Sequence, residues 1–247
     1  MMKYVNVFLW LSVMILFPGC EKSPIALKSS GPYERRVHTV GQASNLVLLD
    51  EVDLVLSDSV PREEVWLSGG KYLLDWISTE VISDTLFVGN ENRANWLRDY
   101  RKRPQVKVNA HAYRSFVYEA AGDIVAESPI SRDSLSLLVQ GGGGSVSLQL
   151  HVGVLRVENT LGTVDINLRG EVSLGSLYGG SYGPIYAQDL KVKLLYMMNA
   201  GFSDIHVRSE KVFSGEIQSS GNVYVYGKPK EYVVSSFGSG QFIRVEE

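Results

Sequence analysis

The C-terminal half of the chain shows a regular alternation of apolar and polar residues. From residue 122 onward a glycine is followed, two and four residues later, by apolar side chains, as in Gly122-Asp-Ile124-Val-Ala126 and Gly221-Asn-Val223-Tyr-Val225. Successive side chains of a β-strand point to opposite faces, so this spacing predicts a strand with one buried face after each glycine.

This pattern recurs at intervals of 18 to 22 residues. Its anchors are Gly122, Gly144, Gly162, Gly183 and Gly221, with Ser203 in the place of a sixth glycine. A period in this range indicates one unit per repeat, which buries its apolar face only against neighbouring units. We therefore predict an all-β fold, a β-solenoid. Each anchor glycine is expected at a corner, where φ is positive or where the coil turns too sharply for a Cβ atom.

The residues three positions after the anchors face outward in this scheme. Late in the chain they include Asp165, Tyr186, His206 and Tyr224, and Tyr226 follows two residues after the last of these. We expect them to stack on consecutive coils. An exposed strip of this kind packs against sugar rings or a partner surface. The alternative is an aromatic ladder between coils that only stabilises the sheet.

The N-terminal half contains short apolar runs that are rich in valine, isoleucine and aromatic residues, which is typical of strands. They cover residues 46–49, 52–56, 65–67, 72–77, 81–82, 86–88 and 106–108. Residues 90–104 form a polar and basic segment. This segment is either a solvated loop or a basic site for an acidic ligand.

The first residues indicate export. The apolar run from Tyr4 to Phe17 is about fourteen residues long, whereas a membrane-spanning helix needs about twenty, so we interpret it as part of a signal peptide. The only cysteine, Cys20, cannot form an intramolecular disulfide. Together with Gly19 it resembles the lipobox of bacterial lipoproteins, which implies acylation of Cys20 and attachment to a membrane without spanning it. An ordinary secretory peptide with an incidental cysteine is the alternative.

We divide the chain into a signal peptide at 1–19, the lipidated cysteine and a flexible tether at 20–36, and the repeat domain at 37–247. The formal net charge is −3, and removal of residues 1–19 takes away only the charge of Lys3, so a nucleic-acid partner is not expected. The four histidines have no metal-ligand spacing, and neither a metal nor a cofactor is predicted.

Several of the repeat residues also carry a family resemblance. The tandem glycine phrases, the segment Tyr224-Val-Tyr226-Gly227-Lys228-Pro229 and the closing Phe237-Gly-Ser-Gly240 resemble the head GIN domain, an autotransporter-adhesin type of domain found in lipoproteins of Bacteroidetes. This resemblance implies a single-stranded right-handed β-helix, here with coils of about 20 residues, located on the cell envelope.

We therefore expect a non-enzymatic envelope lipoprotein that is anchored through Cys20, with the outer membrane as its expected site and the membrane face left open. Its head would bind a glycan or a protein of the envelope or the host surface. Two alternatives remain. One is a β-helical enzyme that acts on polysaccharides, although such cleavage needs two suitably spaced carboxylates. The other is a structural protein that assembles with itself through the ends of the solenoid.

Overall fold

The fold was analysed in a computed structural model that describes residues 30–92 and 103–246. It is all-β, with about 65% of residues in strands. The N-terminal elements are β1 (Tyr33–Thr39), β2 (Asn45–Asp50), β3 (Asp53–Ser57), β4 (Glu64–Gly70), α1 (Lys71–Leu74), β5 (Ile77–Ile82), β6 (Thr85–Asn90), β7 (Gln105–Asn109), β8 (Ser115–Ala120) and β9 (Ile124–Ala126). The C-terminal elements are β10 (Ile130–Gly142), β11 (Ser145–Asn159), β12 (Asp165–Gly179), β13 (Ile185–Asn199), β14 (Ile205–Ile217), β15 (Val223–Tyr226), β16 (Glu231–Ser236) and β17 (Phe242–Arg244).

The strands form two columns of parallel neighbours, which together make a β-solenoid. The first column runs β6, β2, β8, β10, β11, β12, β13, β14, β16, and the second runs β7, β3, β9, β11, β12, β13, β14, β15, β17. Strands β11 to β14 contribute to both columns because each one bends around the core. The solenoid has about six turns with coils of about 20 residues, so the predicted fold class is confirmed.

The core follows the predicted alternation. The residues two and four positions after each anchor are buried, except Ala126, which is only partly buried and packs against the core. The fully or almost fully buried members are Ile124, Val146, Leu148, Val164, Ile166, Ile185, Ala187, Ile205, Val207, Val223 and Val225. Each coil therefore adds an aliphatic layer to one continuous core.

The register differs from the prediction at one coil, that of Gly162, which is offset relative to both neighbouring coils. Asn167, and not Asp165, pairs with Ser147 and with Tyr186, while Asp165 pairs with Ser145. In the coil before Gly162, the glycine at the equivalent position is Gly142 and not Gly144. Gly142 and Gly162 both have positive φ, 100° and 105°. Gly144 and Gly162 are thus offset by two residues, which keeps every side chain on its predicted face but shifts the pairing.

The anchor glycines lie at corners for two physical reasons. Gly162 has a positive φ. At Gly122, Gly144, Gly183 and Gly221, by contrast, a Cβ atom would lie 1.8 to 2.2 Å from a backbone carbonyl oxygen of the neighbouring coil. At these four positions the close approach of the coils, and not the backbone angle, requires glycine.

The N-terminal coils are not stacked in chain order. Strands β2 and β3 lie between the coil of β6 and β7 and the coil of β8 and β9. The outer side of β6 and β7 is covered by antiparallel strands: β5 lies beside β6, β4 lies beside β7, and β1 lies beside β4. This arrangement protects the end of the sheet, where unpaired strand edges promote aggregation.

Two N-terminal predictions need correction. Strand β1 begins at Tyr33, inside the segment 20–36 that was predicted as a tether, because its residues pair with all of β4. The run 72–77 was predicted as a strand, but residues 71–74 form the helical turn α1. Its adjacent residues Leu73 and Leu74 are both buried, which a strand with alternating faces does not allow.

The C-terminal end is closed by a charged residue. Arg244 lies where the alternation calls for an apolar residue, and its guanidinium carbon is 4.5 Å from the ring centroid of Tyr232. Tyr232 in turn stacks on the buried Phe213, with 5.3 Å between the ring centroids. Arg244 thus places a polar group over the last apolar layer.

Candidate binding surface

Three aromatic side chains stack on consecutive coils along the second column. The centroid distances are 5.5 Å between Tyr186 and His206 and 4.5 Å between His206 and Tyr224, with interplanar angles of 28° and 4°. We call these three residues the aromatic row. Tyr226 lies beside it, 6.2 Å from His206 between ring centroids, and its hydroxyl is 3.3 Å from Nδ1 of His206.

The fold aligns these rings because the strands that carry them are parallel and in register. Tyr186 pairs with His206, and His206 pairs with Tyr224. Their neighbours along the chain, such as Ile185 and Ile205, point into the core, so the three rings must point outward. Strands in a sheet are about 4.8 Å apart, which is close to the spacing of stacked rings.

A polar groove continues from the aromatic row toward the N-terminal coils. It has a volume of about 240 Å³ and is lined by residues of β9, β11, β12 and β13, including Tyr186 at one side. Its polar side chains are Ser147, Gln149, Asn167, Arg169, Gln188 and Asp189. We call this feature the polar groove. Tyr186 is the end ring of the row, and its face away from His206 borders the polar groove. An aromatic ring next to several hydrogen-bonding groups suits a sugar ring.

A β-bulge shapes the polar groove. The register between β12 and β13 shifts after Asn167, so that the next paired residues are Arg169 and Asp189. The extra residue places Gln188 and Asp189 in succession on the outer side. Bulges redirect side chains and are frequent next to functional sites. In the described part of the chain, Oε1 of Gln188 is buried and accepts no hydrogen bond.

The electrostatics of the surface are balanced. Arg169 and Asp189 are directly paired across neighbouring strands, so the polar groove carries one charge of each sign. Burial lowers the pKa of His206 below its usual value of 6.5, and the nearby Asp204 opposes this shift only in part. Neutral His206 is therefore the favoured form at pH 7.

The structure places the predicted site residues in three groups. Tyr186, His206, Tyr224 and Tyr226 lie together, whereas Asp165 is two residues away from the row because of the register offset. Cys20 lies outside the described residues. Within the described ranges, no group of three or more histidine, cysteine, aspartate or glutamate side chains could hold a metal ion.

The groove offers little for glycosidic cleavage. That reaction uses two carboxylates at a fixed separation, and among the described residues Asp189 is the only carboxylate that lines the polar groove. The arrangement is suited to holding a ring by stacking and hydrogen bonds.

Sequence reasoning missed the residues that line the polar groove. Asn167 was missed because the alignment of Gly144 with Gly162 placed Asp165 in the row instead. Gln188 and Asp189 depend on a bulge that leaves no local signal. It also missed the exposed pair of Tyr182 and Phe202, whose rings stack at 4.9 Å on successive corners. The sequence did contain a signal for this pair, because Tyr182 and Phe202 directly precede the consecutive anchors Gly183 and Ser203.

A family model covers most of the solenoid. Residues 44–229 match the family described as "Putative auto-transporter adhesin, head GIN domain". The chain belongs to this family. The GIN domain match includes the aromatic row, the polar groove and all five anchor glycines. No curated protein matches the sequence at a significant level.

Solved structures from Bacteroidetes share the fold of this GIN domain. A putative adhesin from Bacteroides fragilis superposes with a TM-score of 0.77 at 17% identity, covering 88% of this chain and 100% of the other. A putative lipid binding protein from Parabacteroides distasonis gives 0.64 at 17% identity, with coverages of 89% and 100%. A putative adhesin from Parabacteroides merdae gives 0.56 at 15% identity, with coverages of 87% and 97%. At these identities the likeness concerns the fold alone.

Proposed function

We propose that this protein is a non-enzymatic envelope lipoprotein whose GIN domain binds neutral glycans. The observation that carries the proposal is Tyr186, the end ring of the aromatic row, beside a polar groove of balanced charge. Apolar faces of sugar rings pack on aromatic rings, and their hydroxyl groups exchange hydrogen bonds with amide, guanidinium and carboxylate groups.

A neutral ligand fits this surface better than a charged one. The groove contributes Arg169 and Asp189 as a pair, and amide side chains supply most of the remaining hydrogen-bonding groups. A polyanionic chain would gain no net electrostatic attraction here.

The envelope location belongs to the same proposal. The family and the adhesins with which the fold is shared support a role at the envelope. In the described residues no helix is long and apolar enough to cross a membrane. We propose attachment through acylated Cys20. The mass of the N-terminal peptide of the mature protein tests this point, since an unmodified cysteine would refute it.

Glycan binding is tested with the variant Tyr186→Ala plus Tyr224→Ala. Stacking on aromatic groups contributes about 0.5–1.5 kcal/mol per pair beyond area burial, so we expect affinity for a bound polysaccharide to fall at least about tenfold. The probes are a soluble glucan, mannan and xylan, each titrated by isothermal calorimetry.

The matched control is Tyr182→Ala, which removes an exposed tyrosine from the adjacent corner and leaves the row intact. It should bind the polysaccharide like the wild type. If the double variant binds normally and only its melting temperature falls, the row is a structural ladder and the glycan proposal is wrong. If none of the probes binds the wild type, the proposal also fails for neutral glycans.

A further inference from the structure

The N-terminal end of the solenoid has a second concave surface. Strands β1, β4 and β7 lie side by side, and their outward residues line two adjoining cavities of about 320 and 370 Å³. Tyr33, Ser68 and Gln105 line both cavities, so the two form one continuous depression. We call it the cap groove.

The cap groove is positively charged. Arg35, Arg103 and Lys107 are among its lining residues, and none of the described lining residues is acidic. Arg36 also borders the groove, but it lies on the other face of β1 from Arg35 and pairs with Asp75. Three of these cations have carboxylate partners outside the lining: Arg36 with Glu34 and Asp75, Arg103 with Asp53 and Asp123, and Lys107 with Glu127.

Arg35 differs from the other three. Its guanidinium has no carboxylate within 4.0 Å among the described residues, and it lies 6.0 Å from the ring centroid of Tyr33. Hydrogen bonds from Ser68 and Arg35 lower the pKa of the Tyr33 phenol, so both side chains direct donors toward this position. The groove therefore contains one guanidinium, that of Arg35, with no carboxylate partner among the described residues.

Apolar side chains surround these cations. Tyr33 and Val37 are 68% and 59% exposed, and Trp66 is half-buried between them and Lys107. Tryptophan and tyrosine are enriched at the headgroup level of membranes, and arginine and lysine bind anionic headgroups there. This combination matches a membrane surface better than a soluble polyanion, because a polyanion would not bury the apolar side chains of Val37 and Tyr33.

The position of the groove on the chain favours the same partner. Ser30 lines one of the two cavities, and only residues 21–29 separate it from Cys20. At no more than about 3.6 Å per residue, this segment spans about 35 Å at most. A lipid on Cys20 would thus hold the cap groove close to the membrane surface.

We propose that the cap groove binds the phosphate groups of anionic lipids in the membrane that anchors the protein. This second contact rests on the proposed acylation of Cys20. It would orient the solenoid with its N-terminal end toward the lipid and its aromatic row along the exposed side. Stable membrane attachment commonly combines an acyl chain with a basic patch.

Hydrogen–deuterium exchange on the acylated mature protein tests this proposal. The protein is reconstituted into vesicles of phosphatidylcholine alone or with about 30% phosphatidylglycerol. We expect exchange in residues 33–39 and 64–70 to slow at least about threefold in the anionic vesicles, and 0.5 M salt should abolish the difference because it screens exposed charges. No slowing in anionic vesicles would overturn the proposal.

The variant Arg35→Gln plus Lys107→Gln should lose this protection. Basic residues near an anionic surface strengthen binding to it, so loss of two should weaken the affinity of the groove for anionic vesicles by about tenfold or more. The control Lys191→Gln plus Lys193→Gln removes two cations from β13 and should keep the protection. Slow exchange in β12 shows that a variant is folded. If the groove variant does not fold, the salt dependence of the protection in the wild type decides whether the cap groove binds anionic lipid.

Two further arms separate the possible sources of the signal. Equal protection by inorganic phosphate in neutral vesicles would identify a free-anion site and overturn binding to a lipid surface. The mass of the N-terminal peptide reports acylation separately. If Cys20 is unmodified, the anchor proposal fails, and the same experiment with vesicles added to the protein still decides whether the cap groove binds anionic headgroups.

Discussion

At the scale of single residues, the corner glycines are set by the spacing between coils. Gly221 has ordinary backbone angles, yet a Cβ atom there would lie 2.2 Å from the carbonyl oxygen of Ser203 and 2.7 Å from Nδ2 of Asn199. Backbone atoms of the adjacent coil cannot move away without breaking the hydrogen bonds of the ladder. Glycine at this position of the repeat therefore indicates that the backbones of neighbouring coils approach each other closely.

We expect Gly221→Val to lower the free energy of unfolding by about 3 kcal/mol or more, because the side chain must displace backbone. Chemical denaturation monitored by circular dichroism measures this change. Gly141→Val is the control, since a Cβ at Gly141 would have no atom within 4 Å. Equal stability of the two variants would contradict the close approach at Gly221.

His206 makes the stability depend on pH. Burial lowers the pKa of its imidazole in the folded protein below 6.5, so the unfolded chain binds a proton first as the pH falls. The stability contributed by neutral His206 is complete above pH 6.5 and is lost as the pH falls through the folded-state pKa. His38 behaves in the same direction, because burial and then the charge of Arg36 lower its pKa.

We expect His206→Phe to lose less stability than the wild type between pH 7 and pH 5, since phenylalanine keeps the stack and does not titrate. Melting temperatures across this range provide the measurement. Tyr224→Phe leaves His206 and the stacked ring in place and should keep the pH dependence of the wild type. If the His206→Phe and wild-type curves are parallel, His206 does not carry this effect.

At the scale of elements, the two ends of the solenoid are closed in different ways. The N-terminal end is covered by antiparallel strands, while the C-terminal end is covered by Arg244 over Tyr232. The C-terminal cap could be read from the sequence, because a charged residue interrupts the alternation in the last coil. The N-terminal cap could not, since antiparallel pairing over long separations leaves no periodic signal.

The C-terminal cap leads to a prediction about assembly. Arg244→Ala removes a cation–π contact of about 1 kcal/mol and exposes the last apolar layer beside the edge strands β16 and β17. We expect a lower melting temperature and an apparent mass in size-exclusion chromatography that grows with protein concentration. Arg156→Ala, which breaks an exposed ion pair with Glu158, should change neither. Concentration-dependent growth of the wild type itself would favour the self-assembly alternative.

The sequence predicted the repeat, the coil length and the direction of the side chains from Ile124 to Val225, because one local pattern determines all three. It also predicted the aromatic row, since Tyr186, His206 and Tyr224 lie in coils whose anchors were aligned correctly. It did not predict Asn167 or Gln188 in the polar groove. Their positions depend on a two-residue offset and on a bulge, which are properties of the pairing between coils.

At the scale of the whole molecule, membrane contact, glycan binding and closure of the solenoid are assigned to three separate surfaces. The cap groove lies at the end nearest Cys20, the aromatic row and polar groove lie along one side of the rod, and the charged cap closes the far end. A lateral binding surface on a rod that is held at one end stays accessible to extended polymers. The central claim of this account is that the lateral surface, and no other, is where a glycan binds.

The most direct test is a nuclear magnetic resonance titration of the four histidine imidazoles with the polysaccharide that binds best. His206 lies at the centre of the aromatic row, whereas His38, His111 and His151 lie away from it and serve as internal controls. The account predicts that the ring signals of His206 shift with saturation while the other three stay unchanged. Saturable shifts at another histidine with His206 unaffected would place the ligand elsewhere and contradict the account.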